Sequence, residues 1–200
     1  MKKALSFIFG AVLLALVLSL AACGGKENPA GGSSGGQDGA PVAESALELL
    51  TKVWDSYEED DKFPAIGGDL SEEHVTDGAP GVFGVDDADM LDATLGFPAA
   101  SAGKIDDAAS LMHMMNGNTF TCGAFRAASA GDVGGLCAAV KDNIMQRQWM
   151  CGFPEKLVIV TADNYIVSFF GTGDLTEAFK TRLTAAYAAA EVYCDESIMG

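Results

Sequence analysis

Two short runs in this chain carry residue types that could do chemistry at the spacing chemistry needs. Asp86, Asp87, Asp89 and Asp92 crowd four carboxylates into one stretch, and a set of hard oxygen donors is what calcium takes. The EF-hand spacing is not met. The sixth position counted from Asp87 is Asp92 where that loop needs glycine, and no glutamate stands at the twelfth. The competing reading is a solvated helix start beside acidic loops. Met112-His113-Met114-Met115 joins thioethers to an imidazole, soft donors that suit copper(I). On a strand, however, alternate side chains face opposite ways. That sets Met112 and Met114 together, turns His113 and Met115 away, and makes the methionines core filler. The other histidine, His74, lies among acids in SEEHVTDG, a loop composition. There is no Gly-x-Ser-x-Gly elbow, P-loop or His-Glu-x-x-His, and Gly67-Gly68 and Gly134-Gly135 are too short to argue a phosphate cradle. No catalytic or cofactor-binding residue stands out.

The first 23 residues carry chemistry of another kind. Lys2 and Lys3 precede an apolar run from Leu5 to Leu18, and Leu20-Ala21-Ala22-Cys23 closes it, with Gly24 and Gly25 behind. This is the secretory layout of charged, apolar and small-residue regions, with a cysteine at the cleavage point. It resembles the bacterial lipobox, which implies a signal peptide over residues 1–22 and a diacylglycerol anchor on the Cys23 thiol. The rivals are a plain secretory signal and a transmembrane helix, since Ala4 to Ala22 just reaches across a bilayer. Two acyl chains anchor stably where one binds reversibly. The expectation is therefore a protein lipid-anchored at the cell membrane and facing outside the cytoplasm.

The full chain carries 28 acidic against 12 basic side chains, a net charge of −16, and loss of Lys2 and Lys3 makes it −18. Such a surface argues against nucleic acid as a partner and does not hug anionic lipid; it fits a body held off the membrane, and cationic ligands. Residues 24–41 read GGKENPAGGSSGGQDGAP, the composition of a flexible tether with a typical reach on the order of 23 Å. Residues 42–200 are then enough for one domain with a proper core.

Ala46, Leu47, Leu50, Val53, Trp54 and Tyr57 fall at the spacing of one apolar helix face, so a helix is expected over Ala43 to Tyr57. From Asp55 to Asp92 thirteen carboxylates stand against Lys62 alone, and FPAIGGD and DGAPGVFG interrupt any regular element. Acids at Asp86 and Asp87 open a short helix that Gly96 and Pro98 stop. Residues 42–96 thus read as a helical and acidic part, and residues 97–200 as a sheet-and-helix part. In the latter, Ala109 to Met115 and Thr119 to Ala127 flank the hairpin signal Asn116-Gly117-Asn118. A helix from Asp132 follows, with Val133, Leu136, Cys137, Val140 and Ile144 on one face. KLVIVT and NYIVSFF make a second strand pair turning at Ala162-Asp163-Asn164. A last helix opens at Asp174 with Glu177 in capping-box position, its stripe running through Leu175, Phe179, Leu183, Ala186, Tyr187 and Ala190. The order predicts an α+β fold with a ββαββα-like core: an antiparallel sheet with the helices packed on one face.

Cys122, Cys137, Cys151 and Cys194 remain beyond Cys23, and an even number in an exported protein permits disulfides. Cys122 and Cys137 point to the core. Cys151 and Cys194 each follow a helix, and parallel helices on one face would bring those ends together, so a Cys151–Cys194 bridge and unpaired thiols are the alternatives. No C-x-x-C pair exists for redox catalysis.

The lipobox, KVWDSYEED, LMHMMN, the hairpin, IMQRQW and DNYIVSFF together resemble a family of small surface lipoproteins from anaerobic Gram-positive bacteria with a domain of unknown function. Some of its relatives are labelled bacteriocin transport accessory protein. The likeness spans roughly residues 43–190 and implies an α+β lipoprotein domain with no established activity. Three classes of function follow. The first is a tethered binding or interaction module meeting a protein or small-molecule ligand, with an apolar patch around Trp149, Phe153 and Pro154. The second is a calcium- or other metal-binding lipoprotein. The third, an enzyme, has no residue that speaks for it.

Overall fold

Ser45 accepts a hydrogen bond from the Glu48 backbone N–H at 3.1 Å, and this N-cap starts helix α1, Ala46–Trp54. Ala46, Leu49, Leu50, Val53 and Trp54 are its buried face. Leu49 replaces Leu47 in the expected stripe, and Leu47 is only partly buried. The computed structural model describes residues 42–150 and 152–198. The signal segment, Cys23, the tether and Cys151 lie outside the described residues.

The glycine-rich acidic segment forms three short strands, β1 (Ala65–Gly67), β2 (Thr76–Asp77) and β3 (Gly81–Val82). Glycine is what lets these backbones meet: a Cβ on Gly67 would lie 2.2 Å from the Gly81 nitrogen. A short helix α2, Ala88–Met90, runs on as a π-helical turn, Leu91–Leu95. Gly96 ends it in the left-handed region at φ 68°. The longer strands are β4 (Ile105–His113), β5 (Phe120–Ala127), β6 (Lys156–Ala162) and β7 (Tyr165–Gly171). They are joined by helices α3 (Val133–Met145) and α4 (Gly173–Ala186), and strand β8 (Ala190–Ser197) follows. The eight strands form one antiparallel sheet in the order β2-β1-β4-β5-β7-β6-β8, with β3 also pairing to β4. The fold is α+β, and Gly39–Gly200 is one compact unit.

The helices do not share a face. Helices α1 and α4 cover the side of Leu111, Phe120, Val158, Val160 and Phe169. Helix α3 and the π turn cover the side of Met112, Phe125, Leu157, Ile159 and Phe170. Handedness explains this correction. Strands β5 and β6 run opposite to β7 and β8, yet both helical connections step two strands in the same direction across the sheet. Right-handed crossovers then require α3 on one face and α4 on the other. The composition of β6 and β7 agrees, since strands covered on both faces read as continuous apolar runs.

Two further expectations change. Helix α4 ends at Ala186, and Ala190 begins β8, whose burial is confined largely to Cys194. The α4 N-terminus uses no capping box: Thr172 is the N-cap without a side-chain bond. Glu155 Oε2 instead accepts from the Gly173 backbone N–H at 2.7 Å, and Glu177 pairs with Lys180 and Lys156.

Candidate functional site

Met112, Thr121 and Phe170 are register partners across β4, β5 and β7, so their side chains stand in one row on the α3 side of the sheet. All three are nearly fully buried. They floor a cleft of about 360 Å³ at the hairpin end of the sheet. One wall is the π-helical turn, at Ala93 and Thr94, and the other is the chain leaving α3, from Arg147 to Met150. Gly117 and Asn118 of the β4–β5 turn form the rim. The LMHMMN, hairpin, IMQRQW and NYIVSFF segments are thus brought together at one place.

Polar contacts hold this arrangement. Asn143 Nδ2 donates to Asp92 Oδ1 at 2.9 Å and to the Gly96 carbonyl at 3.1 Å, fixing the π turn to α3. Asn118 Nδ2 donates to the Met150 and Gly152 carbonyls, each at 3.0 Å, which pins the second wall to the turn. Thr121 Oγ1 donates to the Gly117 carbonyl at 2.9 Å. Arg147 donates to the Ala93 carbonyl, and its guanidinium lies 5.3 Å from the centre of the Trp149 ring. Trp149 packs edge-on against Phe170 at 5.0 Å.

The indole of Trp149 is left over: its Nε1 is buried without a hydrogen-bond partner among the described residues, a condition that costs roughly 1–3 kcal/mol. None of the residues lining the cleft is acidic, although the chain has 28 acids. What the arrangement offers chemically is an apolar floor, a lone cation and an unused N–H. The chain matches no family model, no curated protein and no solved structure.

The residues singled out by spacing do not converge. Asp87 Oδ1 accepts from the Met90 backbone N–H at 2.9 Å as the N-cap of α2, and Asp92 is held by Asn143. Among the described residues no group of three or more His, Cys, Asp and Glu is placed to hold a metal ion. Met112 is in the floor of the cleft, whereas His113 stacks on Phe63 at 5.7 Å across the sheet. Met114 and Met115 are exposed. Cys122, Cys137 and Cys194 are buried and form no disulfide among the described residues; Cys194 lies within β8 rather than directly after a helix, and Cys151, its expected bridge partner, lies outside the described residues. The expected apolar patch divides: Phe153 is exposed, Trp149 is half-buried and Pro154 is buried.

Arg147 and Asn118 escaped the sequence reading as site residues, because Asn118 reads only as part of the hairpin turn and Arg147 only as part of the IMQRQW segment. So did an Asp–His pair on the β1–β2 connection. His74 Nδ1 lies 2.7 Å from Asp69 Oδ2, and Asp69 also accepts from Ser71 Oγ and from the Ser71 and Gly84 backbone N–H groups. Between them Leu70, exposed, adopts φ 65°, a strained value for a leucine. The Ser71 hydroxyl donates to the carboxylate, so no serine nucleophile is presented to the imidazole. A larger and more open groove of about 780 Å³ runs along α1; its accessible lining is mostly apolar, with Leu47 and Ala186 set among Glu48, Lys52 and Asp55. Among the described residues no helix is long and apolar enough to cross a membrane.

Proposed function

We propose that this protein is a lipid-anchored extracytoplasmic binding module, tethered through Cys23, that takes a small ligand in the cleft between the π-helical turn, the tail of α3 and the β4–β5 turn. The lipobox and the glycine-rich segment support the anchor and its spacer. The observation that carries the binding half is the unpartnered Trp149 N–H in the wall of a cleft floored by Met112 and Phe170. Binding sites of this kind are concave and mostly apolar, with a few polar groups that fix orientation. A donor buried without an acceptor is stabilised when a ligand brings one.

Methyl-detected NMR of the Gly39–Gly200 unit against a mixed set of neutral, cationic and anionic fragments tests this. The Met112 and Met150 methyl resonances shift saturably with at least one fragment. Shifts confined to the open groove beside α1, or absent everywhere, defeat the proposal. Metabolic labelling with a fatty acid tests the anchor: wild type takes up label and Cys23→Ser does not.

A further inference from the structure

We infer that the cleft binds a small organic anion, a carboxylate on an apolar body, with Arg147 as its counter-ion. This rests on the cleft being the binding site and adds the class of ligand it takes.

The chain has three arginines. Arg126 pairs with Asp106 at 2.6 Å and faces Asp107 at 3.9 Å. Arg182 pairs with Asp61 at 3.0 Å and covers the Tyr57 ring. Arg147 has no carboxylate within salt-bridge distance among the described residues, in a chain whose acids outnumber its bases by 28 to 12. The reason is local. The nearby acid on the π turn, Asp92, is taken by the neutral Asn143, while Arg147 is held on the Ala93 carbonyl. The guanidinium is thereby fixed in the wall of the cleft with most of its five N–H donors unengaged.

A guanidinium is a planar fork that matches a carboxylate's two oxygens. Trp149, beside it, carries a further N–H that is buried in the wall and has no partner among the described residues. Met112, Phe170 and Met150 line the rest of the cleft and suit an apolar body; methionine adapts to irregular shapes. With no acid in the lining, no carboxylate there attracts a cation, and the Trp149 ring already has Arg147 beside it. One cation plus one neutral donor matches a monoanion better than a phosphate, which calls for more charge.

The test titrates the Gly39–Gly200 unit with phenylacetate and with its neutral counterpart phenylacetamide, following the Trp149 indole N–H resonance, assigned through Trp149→Phe. Phenylacetate binds at least about tenfold more tightly than the amide and moves the indole resonance downfield. Arg147→Gln brings the two affinities together, while Arg147→Lys keeps part of the preference. Both substitutions remove the guanidinium that rests on the Ala93 carbonyl, and only lysine keeps the charge, so a preference kept by lysine and lost by glutamine reads the charge. If the two probes bind equally and Arg147→Gln changes neither, the cleft is a binding site and the anion assignment is overturned. If neither probe binds while only neutral or cationic fragments from the mixed set do, the assignment is again overturned. If nothing binds in the cleft, both this inference and the proposed function fall.

Discussion

Asn118 donates its side-chain amide to the Met150 backbone carbonyl at 3.0 Å, joining two segments 32 residues apart. The same amide nitrogen reaches the Gly152 carbonyl, so one side chain holds the outer wall of the cleft against the turn. Asn118→Ala releases that wall. Hydrogen–deuterium exchange rises across residues 148–150, while global stability falls by only about 1 kcal/mol, because the bonds lie near solvent. Unchanged exchange in this segment would show that packing of Trp149 on Phe170, not Asn118, fixes the wall.

Gly96→Ala attacks the opposite wall. The residue sits at φ 68°, and a Cβ there would lie 2.5 Å from Ile144 Cγ1, on a side chain with no exposed surface. The left-handed conformation and the overlap in the α3 layer together cost about 2–4 kcal/mol. Urea denaturation should show a lowered midpoint at constant slope. A loss below about 1 kcal/mol would mean that the π turn moves away freely.

The Asp69–His74 pair makes stability depend on pH in a defined direction. The hydrogen bond to Asp69 raises the His74 pKa above 6.5; burial opposes it, and the charges of Asp69 and Glu73 add to it. This stabilisation is complete below the unfolded value and is lost as pH rises through the folded one. For Asp69, burial pushes the pKa upward, but hydrogen bonds from Ser71, His74 and the Gly84 N–H outweigh it and hold the carboxyl well below its ordinary 3.8. Its contribution is present above that value and is lost as pH falls through the lowered one. The melting temperature of wild type should therefore drop between about pH 6 and 8 relative to His74→Gln. Parallel profiles in that window would remove the pair from any role in stability.

The three buried thiols should be inert in the native protein. Burial raises Cys137 and Cys194 to about 11 and Cys122 well above its ordinary value, so little thiolate is available near neutrality. Iodoacetamide followed by peptide mass spectrometry should find these three unlabelled until denaturant is added. Labelling of Cys194 at the rate of an unfolded peptide would show that β8 opens from β6.

The central strands and helices were legible because their apolar spacing is strong. Val133, Leu136, Cys137, Val140 and Ile144 fall together in the α3 layer as their periodicity predicts. The Asn116-Gly117-Asn118 turn is closed by Asn116 Oδ1 accepting from the Asn118 N–H. Strand β8 was not legible, because AEVYCDES buries little beyond Cys194 and its Ala190, Val192, Cys194 alternation is short and weakly apolar, with Val192 exposed. Without β8 the order β5-β7-β6-β8 is unknown, and the handedness argument that places α3 and α4 on opposite faces cannot be made. The cleft was half legible. Its segments stood out as motifs, but Arg147 matters through the absence of a partner, which only three-dimensional placement reveals.

Apolar side chains on both faces of β6 and β7 leave these strands without a wet side. Sliding one past the other by a residue would trade the contents of the two helical layers while exposing little new apolar surface, so hydrophobicity alone specifies their register weakly. The two-residue turn Asp163-Asn164 supplies what composition does not. Asp163 takes φ 53°, Ala162 faces Tyr165 across the turn, and the Asp163 carboxylate accepts from the Val42 N–H at 3.2 Å. A single surface aspartate thus acts as the address label for both cores, deciding which side chains are delivered to α4 and which to α3.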